Sequence, residues 1–216
     1  MWLFGFYFIF FTGVASYSPY LVLYYQSLSF TGAQIGLIVG ITPLITVVSL
    51  PLMTGIADRT NRHKLIMSLC LLVVISILLI YPNAQSFILL FGLAILSAIF
   101  FAPIMPFAAS ASMFMLGDKK ELFSRIRMGG TIGFSIASML MGVFIENHGL
   151  KIAFLGAAVL FFIAFLFSQK MVYTEDIEQN VDKGQASQLL KNPYFLLFLL
   201  LGLSGGISGK TLSTYL

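Results

Sequence analysis

The segment AQIGLIVGITPLITVVSLPLMTGIADRTNRHK, residues 33–64, decides what kind of protein this is. From Ala33 to Ala57 it holds no charged side chain; Asp58, Arg59, Arg62 and Lys64 then arrive within a few positions. A helix needs about 20 largely apolar residues to cross the hydrocarbon layer of a bilayer. A run of that length, closed abruptly by cations, reads as a membrane span reaching the headgroup region. Pro43 and Pro51 inside it mark bends, which membrane helices tolerate.

Outward from this segment the pattern repeats. Of 216 residues, 59% are apolar and 9% charged, and the mean hydropathy is +0.98. A soluble domain carries about 25% charged residues. This chain cannot cover a water-facing surface, which excludes a soluble enzyme, a nucleic-acid binder and a secreted disulfide scaffold. The lone Cys70 can form no intrachain disulfide and reads as a small buried hydrophobe. No charge occurs between Met1 and Ala57. The apolar stretch from Trp2 exceeds the roughly 7–15 residues of a signal-peptide core and lacks a basic leader, so it reads as a retained span.

Breaks between apolar runs predict helices at Trp2–Gln26, Ala33–Ala57, Leu65–Tyr81, Phe87–Leu116, Leu122–Ile145, Lys151–Gln169 and Pro193–Leu216. The fold class is therefore all-α: a six-helix transmembrane bundle over 1–170, a linker over 171–192, and the start of a seventh helix over 193–216. The linker is polar, with Glu175, Asp176, Glu178, Asp182 and Lys183, and is expected to be solvated. The glycine face of the seventh helix (Gly202, Gly205, Gly206, Gly209) needs a helix to pack on, so the chain is expected to continue beyond Leu216. Arg59, Arg62, Lys64, Lys119, Lys120, Arg125, Arg127, Lys170, Lys183 and Lys191 fall on one side of this layout, against Lys151 alone in the opposite loops. The positive-inside rule then places the N-terminus and linker in the cytoplasm of a multi-pass cell-membrane protein.

Six helices, a long linker and a second set beginning resemble the plan of the major facilitator superfamily, built from two six-helix halves. The loop Gly55-Ile56-Ala57-Asp58-Arg59-Thr60-Asn61-Arg62-His63-Lys64 resembles that superfamily's signature, a glycine ahead of Asp-Arg-x-Gly-Arg-Arg/Lys. Asn61 stands at the signature glycine, and Asn also tolerates left-handed backbone. Ser16-Tyr17-Ser18-Pro19-Tyr20, Pro103-Ile104-Met105-Pro106 and the run from Arg125 to Phe134 resemble the branch holding lactose permease and the nucleoside and phenylpropionate proton symporters. The resemblance implies the N-terminal half of a 12-helix fold working by alternating access. Two departures count against galactoside recognition: Ala109 replaces a common acidic residue of the fourth helix, and Phe134 stands where lactose-type members have Trp.

Candidate residues follow, each with a plainer reading beside it. Asp58 with Gly55, Arg59, Arg62 and Lys64 resembles the family's gate, in which the carboxylate and its arginine latch the two halves; the three cations could equally be positive-inside flanking. Arg125 and Arg127 could snorkel at a helix end, but in the resembled branch Arg127 faces the central cavity. Tyr17 and Tyr20 flank Pro19 near mid-membrane and are cavity candidates, whereas Tyr24 and Tyr25 read as an interfacial aromatic belt. Phe134 is either core or a stacking platform, and Lys210 either snorkels or faces the cavity. His63 and His148 lie in loops on opposite sides and cannot share a metal; no catalytic motif or metal site is present. No carboxylate lies mid-membrane in the first six helices.

The sequence thus predicts a secondary transporter, with no enzymatic activity and no cofactor, moving a small polar or anionic solute of the sugar, nucleoside or aromatic-acid class. Its partners are that substrate, the lipid bilayer, protons as the resemblance implies, and the C-terminal half of the same protein; nucleic acid is not among them. A facilitator or drug exporter of the same fold, or a non-transporting membrane sensor, are the alternatives.

Overall fold

A computed structural model of the protein describes residues 2–173. The linker beyond Tyr173, the seventh helix and Lys210 lie outside the described residues. Among the described residues six helices are long and apolar enough to span a membrane: Trp2–Ser27, Gly32–Thr60, His63–Asn83, Phe87–Lys119, Leu122–His148 and Lys151–Ser168. In a bilayer every backbone N–H and C=O must be satisfied inside the protein, and helices do this within one segment.

Prolines break two of these spans, the first and the fourth. The first is α-helical from Trp2 to Tyr17, tightens to a 3-10 turn at Ser18–Tyr20 around Pro19, and resumes at Leu21–Ser27. The fourth breaks between Phe87–Phe101 and Ile104–Leu116, with Pro103 capping the second piece. Proline has no N–H to give the turn before it and its ring crowds that turn. The second span runs unbroken through Pro43 and Pro51 and opens with a capping box, Thr31 Oγ1 accepting from the Gln34 N–H and Gln34 Oε1 from the Thr31 N–H.

The first span packs on the fifth and sixth, the third on the sixth and fourth, and the second on the fourth. Phe6, Tyr7 and Phe10 of the first span are fully buried, with Phe10 set 5.2 Å from Phe161 and 5.6 Å from Phe101. The second span is the opposite case: only Ile38, Ser49 and Ala57 are buried along it.

At the end of the bundle opposite the basic loops, Tyr24 and Tyr25 are buried, correcting the reading of them as an interfacial belt. The reason lies at the end of the third span, where the 3-10 turn Tyr81–Asn83 leaves carbonyls in need of donors. The Tyr24 hydroxyl donates to the carbonyls of Tyr81 at 2.8 Å and Ala84 at 3.1 Å. The Tyr25 and Tyr81 hydroxyls meet at 3.1 Å, and Phe154 stacks on Tyr81 at 5.2 Å. This ties three spans together.

At the basic end the chain does not leave the bundle at Lys170. Gln169 Nε2 donates to Ser68 Oγ at 2.8 Å, Lys170 Nζ sits 3.4 Å from the centre of the Trp2 ring, and Met171 is buried. The Val172 N–H points at Met115 Sδ, 3.4 Å away, and the Tyr173 hydroxyl at Met67 Sδ. Burial pushes the Tyr173 phenol above its ordinary range.

Candidate functional site

The fifth span owes its position to glycines. A Cβ on Gly129 would sit 2.9 Å from the Phe4 ring, and one on Gly133 would fall on the Phe8 carbonyl oxygen and 2.7 Å from Thr12 Oγ1. Only hydrogen fits there, so the first and fifth helices approach backbone to backbone. Drawing those positions inward leaves an adjoining face of the fifth helix open. Ser124, Arg127, Thr131 and Phe134, at alternating three- and four-residue spacing, form one stripe on it. With Ser135, with Phe11 of the first span, and with Lys120 and Glu121 just ahead of the fifth, they line a cavity of about 760 Å³.

Arg127 is exposed in this cavity, its guanidinium carbon 5.8 Å from the centre of the Phe123 ring. Phe123 in turn meets the buried Tyr7 edge-on at 6.2 Å. Among the described residues no carboxylate lies within 4.0 Å of Arg127; the single ion pair is elsewhere. A planar guanidinium with its fork of donors free, set among hydroxyls and aromatic rings, suits an anion or the acceptor-rich edge of a polar solute. Phe134, 37% exposed, offers its ring on the same wall.

Neither first-span tyrosine lines the cavity with Arg127, and the two turn to different neighbours. Tyr20 reaches toward the fifth span, its hydroxyl 3.6 Å from where a Cβ on Gly142 would lie. Tyr17 lies against Phe154 and Phe161 of the sixth span, at 6.4 and 6.2 Å, and does not line the cavity with Arg127. Six residues separate it from Phe11, or about 240° around a helix, so the two point to different neighbours.

The basic loop has its own geometry. Asn61 takes the left-handed conformation (φ 50, ψ 32) and its N–H bonds the Ala57 carbonyl. This reversal brings His63, first residue of the third span, back onto the second. His63 Nε2 lies 2.9 Å from Asp58 Oδ1. An ionised carboxylate only accepts, so Nε2 carries the proton. The imidazole also stands edge-on to Phe107 of the fourth span, 5.9 Å away. Arg59, Arg62 and Lys64 are exposed, and a Cβ on Gly55 would meet nothing within 4 Å. Among the described residues no group of three or more His, Cys, Asp or Glu could hold a metal.

A family model, that of the MFS_1 like family, matches residues 1–216. The chain belongs to this family. It is 29% identical over 200 residues to the transporter YwbF of Bacillus subtilis (strain 168), covering 91% of this chain and 50% of that protein. A maltose permease of Geobacillus stearothermophilus is 28% identical over 73% of this chain and 38% of its own length. A xanthosine permease of Escherichia coli (strain K12) is 23% identical over 93% of this chain and 50% of its own. The chain thus spans about half the length of the relatives it matches. Two structures of the nucleoside transporter NupG, one of a mutant, share the fold at TM-scores of 0.78 and 0.75, with 21% identity over 92% of this chain and 52% of theirs. The chain is accordingly a membrane protein of the major facilitator fold rather than an enzyme.

Sequence reasoning missed Ser124, Thr131 and Ser135 as companions of Arg127 and Phe134. The signal was present, because all five share one helical stripe between residues 124 and 135. It also missed His63 as the partner of Asp58, which follows only from the backbone reversal at Asn61.

Proposed function

We propose that this chain forms one half of a secondary transporter for a small polar solute, with the Arg127 face as its half of the substrate site. The observation that carries this is the Arg127 guanidinium, without an ion pair among the described residues, on the same open wall as Ser124, Thr131 and Phe134. A cation lining a membrane cavity calls for a ligand, water or an acid to satisfy it. The second half would face this wall and the nearly unburied second span. Hydroxyls beside a cation and a ring fit a sugar, a nucleoside or an aromatic acid, the first two being the named cargo of relatives. Proton coupling would draw its carboxylate from that second half, since the charged residues of the described spans sit near their ends. The bias of Lys and Arg supports a cytoplasmic N-terminus. The basic loop then lies on the cytoplasmic side, where Asp58 would latch the halves while the cavity opens outward.

Uptake of labelled xanthosine, uridine and maltose by the intact protein in proteoliposomes tests this, with and without an inward proton gradient. Arg127→Gln is expected to lower apparent affinity for the transported solute at least tenfold, the loss of one charged hydrogen-bonding group. Unchanged affinity would remove Arg127 from the site. Uptake that ignores the gradient would make the protein a facilitator.

A further inference from the structure

We propose that His63 is a positioning residue for the gate: it holds the Asp58 carboxylate and, through Phe107, ties that carboxylate to the proline-broken fourth span. This rests on the reading of Asp58 as the latch. Asp58 lies in the last turn of the second span with its side chain 71% exposed and three exposed cations close in sequence, yet among the described residues its one pairing within 4.0 Å is with His63. The family signature has Arg or Lys at this place, long flexible cations that could reach Asp58 only by freezing several torsions. Imidazole has two torsions, and here both are restrained. The ring is 22% exposed and stands edge-on, at 85°, to Phe107.

Phe107 is buried at 3% exposure and follows directly on Pro106, in the helix Ile104–Leu116 that begins after the break at Pro103. A helix broken at one point by proline can change its bend without unfolding. If it does, Phe107 moves with the far piece, the imidazole follows the ring, and the carboxylate follows the imidazole. Only Asn61 and Arg62 lie between the second and third spans, which leaves the connection little slack to take up that displacement. The gate would therefore sense the conformation of the fourth span through contacts at 5.9 and 2.9 Å, with no charge in the path but the last.

The test needs no substrate. In the intact protein, in a cysteine-free background, Ser124→Cys at the basic end of the cavity reports opening there through its rate of maleimide labelling in membranes. Asp58→Asn is expected to raise that rate. His63→Leu is expected to raise it about fivefold, the scale of one exposed charged pair acting on a two-state equilibrium. His63→Gln, which keeps an N–H donor at similar reach, returns it to within about twofold of the parent. Phe107→Leu, which removes the ring but no charge, raises it in the same direction. The double variant of Asp58→Asn with His63→Leu labels no faster than Asp58→Asn alone. If Asp58→Asn changes nothing, the latch reading fails. If Asp58→Asn speeds labelling but His63→Leu does not, or Gln behaves as Leu, or the two effects add in full, the latch stands and the positioning role is overturned. Should the leucine variant fail to insert, His63→Ala takes its place with the same expectations.

Discussion

Alanine at position 133 asks the first and fifth spans to make room where there is none. The new methyl would land on the Phe8 carbonyl oxygen and 2.7 Å from Thr12 Oγ1. Neither can yield cheaply. The carbonyl is backbone, and Thr12 Oγ1 is held by donating to that same carbonyl at 2.7 Å. Ordinary carbon–oxygen contact is about 3.3 Å or more, so the helices must part by roughly 1 Å along their crossing. Overpacking of this kind costs about 1–3 kcal/mol. The alanine gives back up to about 1 kcal/mol through its better helix propensity. A net loss of about 1–2 kcal/mol is expected for Gly133→Ala. Gly142 on the same helix supplies the control, because a Cβ there meets only the Tyr20 hydroxyl at 3.6 Å, an ordinary contact. Gly142→Ala should be neutral or slightly stabilising. The assay is thermal unfolding of the intact protein in detergent, followed by intrinsic fluorescence or by loss of the monodisperse chromatographic peak. Equal melting temperatures for the two variants would refute the claim that hydrogen alone fits at Gly133.

Tyr24→Phe strips the donor from the Tyr81 and Ala84 carbonyls and should cost about 1–3 kcal/mol of thermal stability; Tyr20→Phe, whose hydroxyl reaches only the Gly142 region, should cost less in the same melt. Asn61→Val places a β-branched residue at φ 50 and is expected to destabilise by about 1–2 kcal/mol, while Asn61→Gly is tolerated. Lys170→Met removes the cation from the Trp2 ring and should expose the indole, seen as a red shift and easier quenching of the fluorescence of Trp2, the one tryptophan of this chain.

Most of the fold was legible because the bilayer leaves the chain few choices. Charges collect at the ends of spans; of the prolines read as bends, Pro103 stands at a break while Pro43 and Pro51 leave their helix continuous. What escaped the sequence were side chains whose partners lie far along it. Tyr24 sits where an interfacial belt would, and only the 3-10 turn 57 residues later makes it a buried donor. Met171 to Tyr173 read as the opening of a polar linker, yet Met171 is buried and the Tyr173 hydroxyl points at Met67 of the bundle. In the candidate site, Arg127 and Phe134 stood out by type. Ser124, Thr131 and Ser135 did not, because single hydroxyls are common in membrane helices and back-bond to their own turn, as Thr12 does. Tyr17 was placed by depth alone, and depth does not say which neighbour a helix face meets.

The first span lies between the fifth and sixth, and this orders events during synthesis. Ribosomes add about 5–20 residues per second, so roughly 95 residues separate the end of the first span at Ser27 from the start of the fifth at Leu122 by about 5–20 s. During that interval Phe10 can already meet Phe101 of the fourth span, but Phe4, Phe8 and Phe11 lack the glycine surface on which they later pack. A first helix without a single charge is suited to the wait. Gly129, Gly130 and Gly133 are then the late-arriving surface on which the oldest helix of the bundle closes, and a bulky residue among them would strand a finished span rather than merely loosen a finished fold.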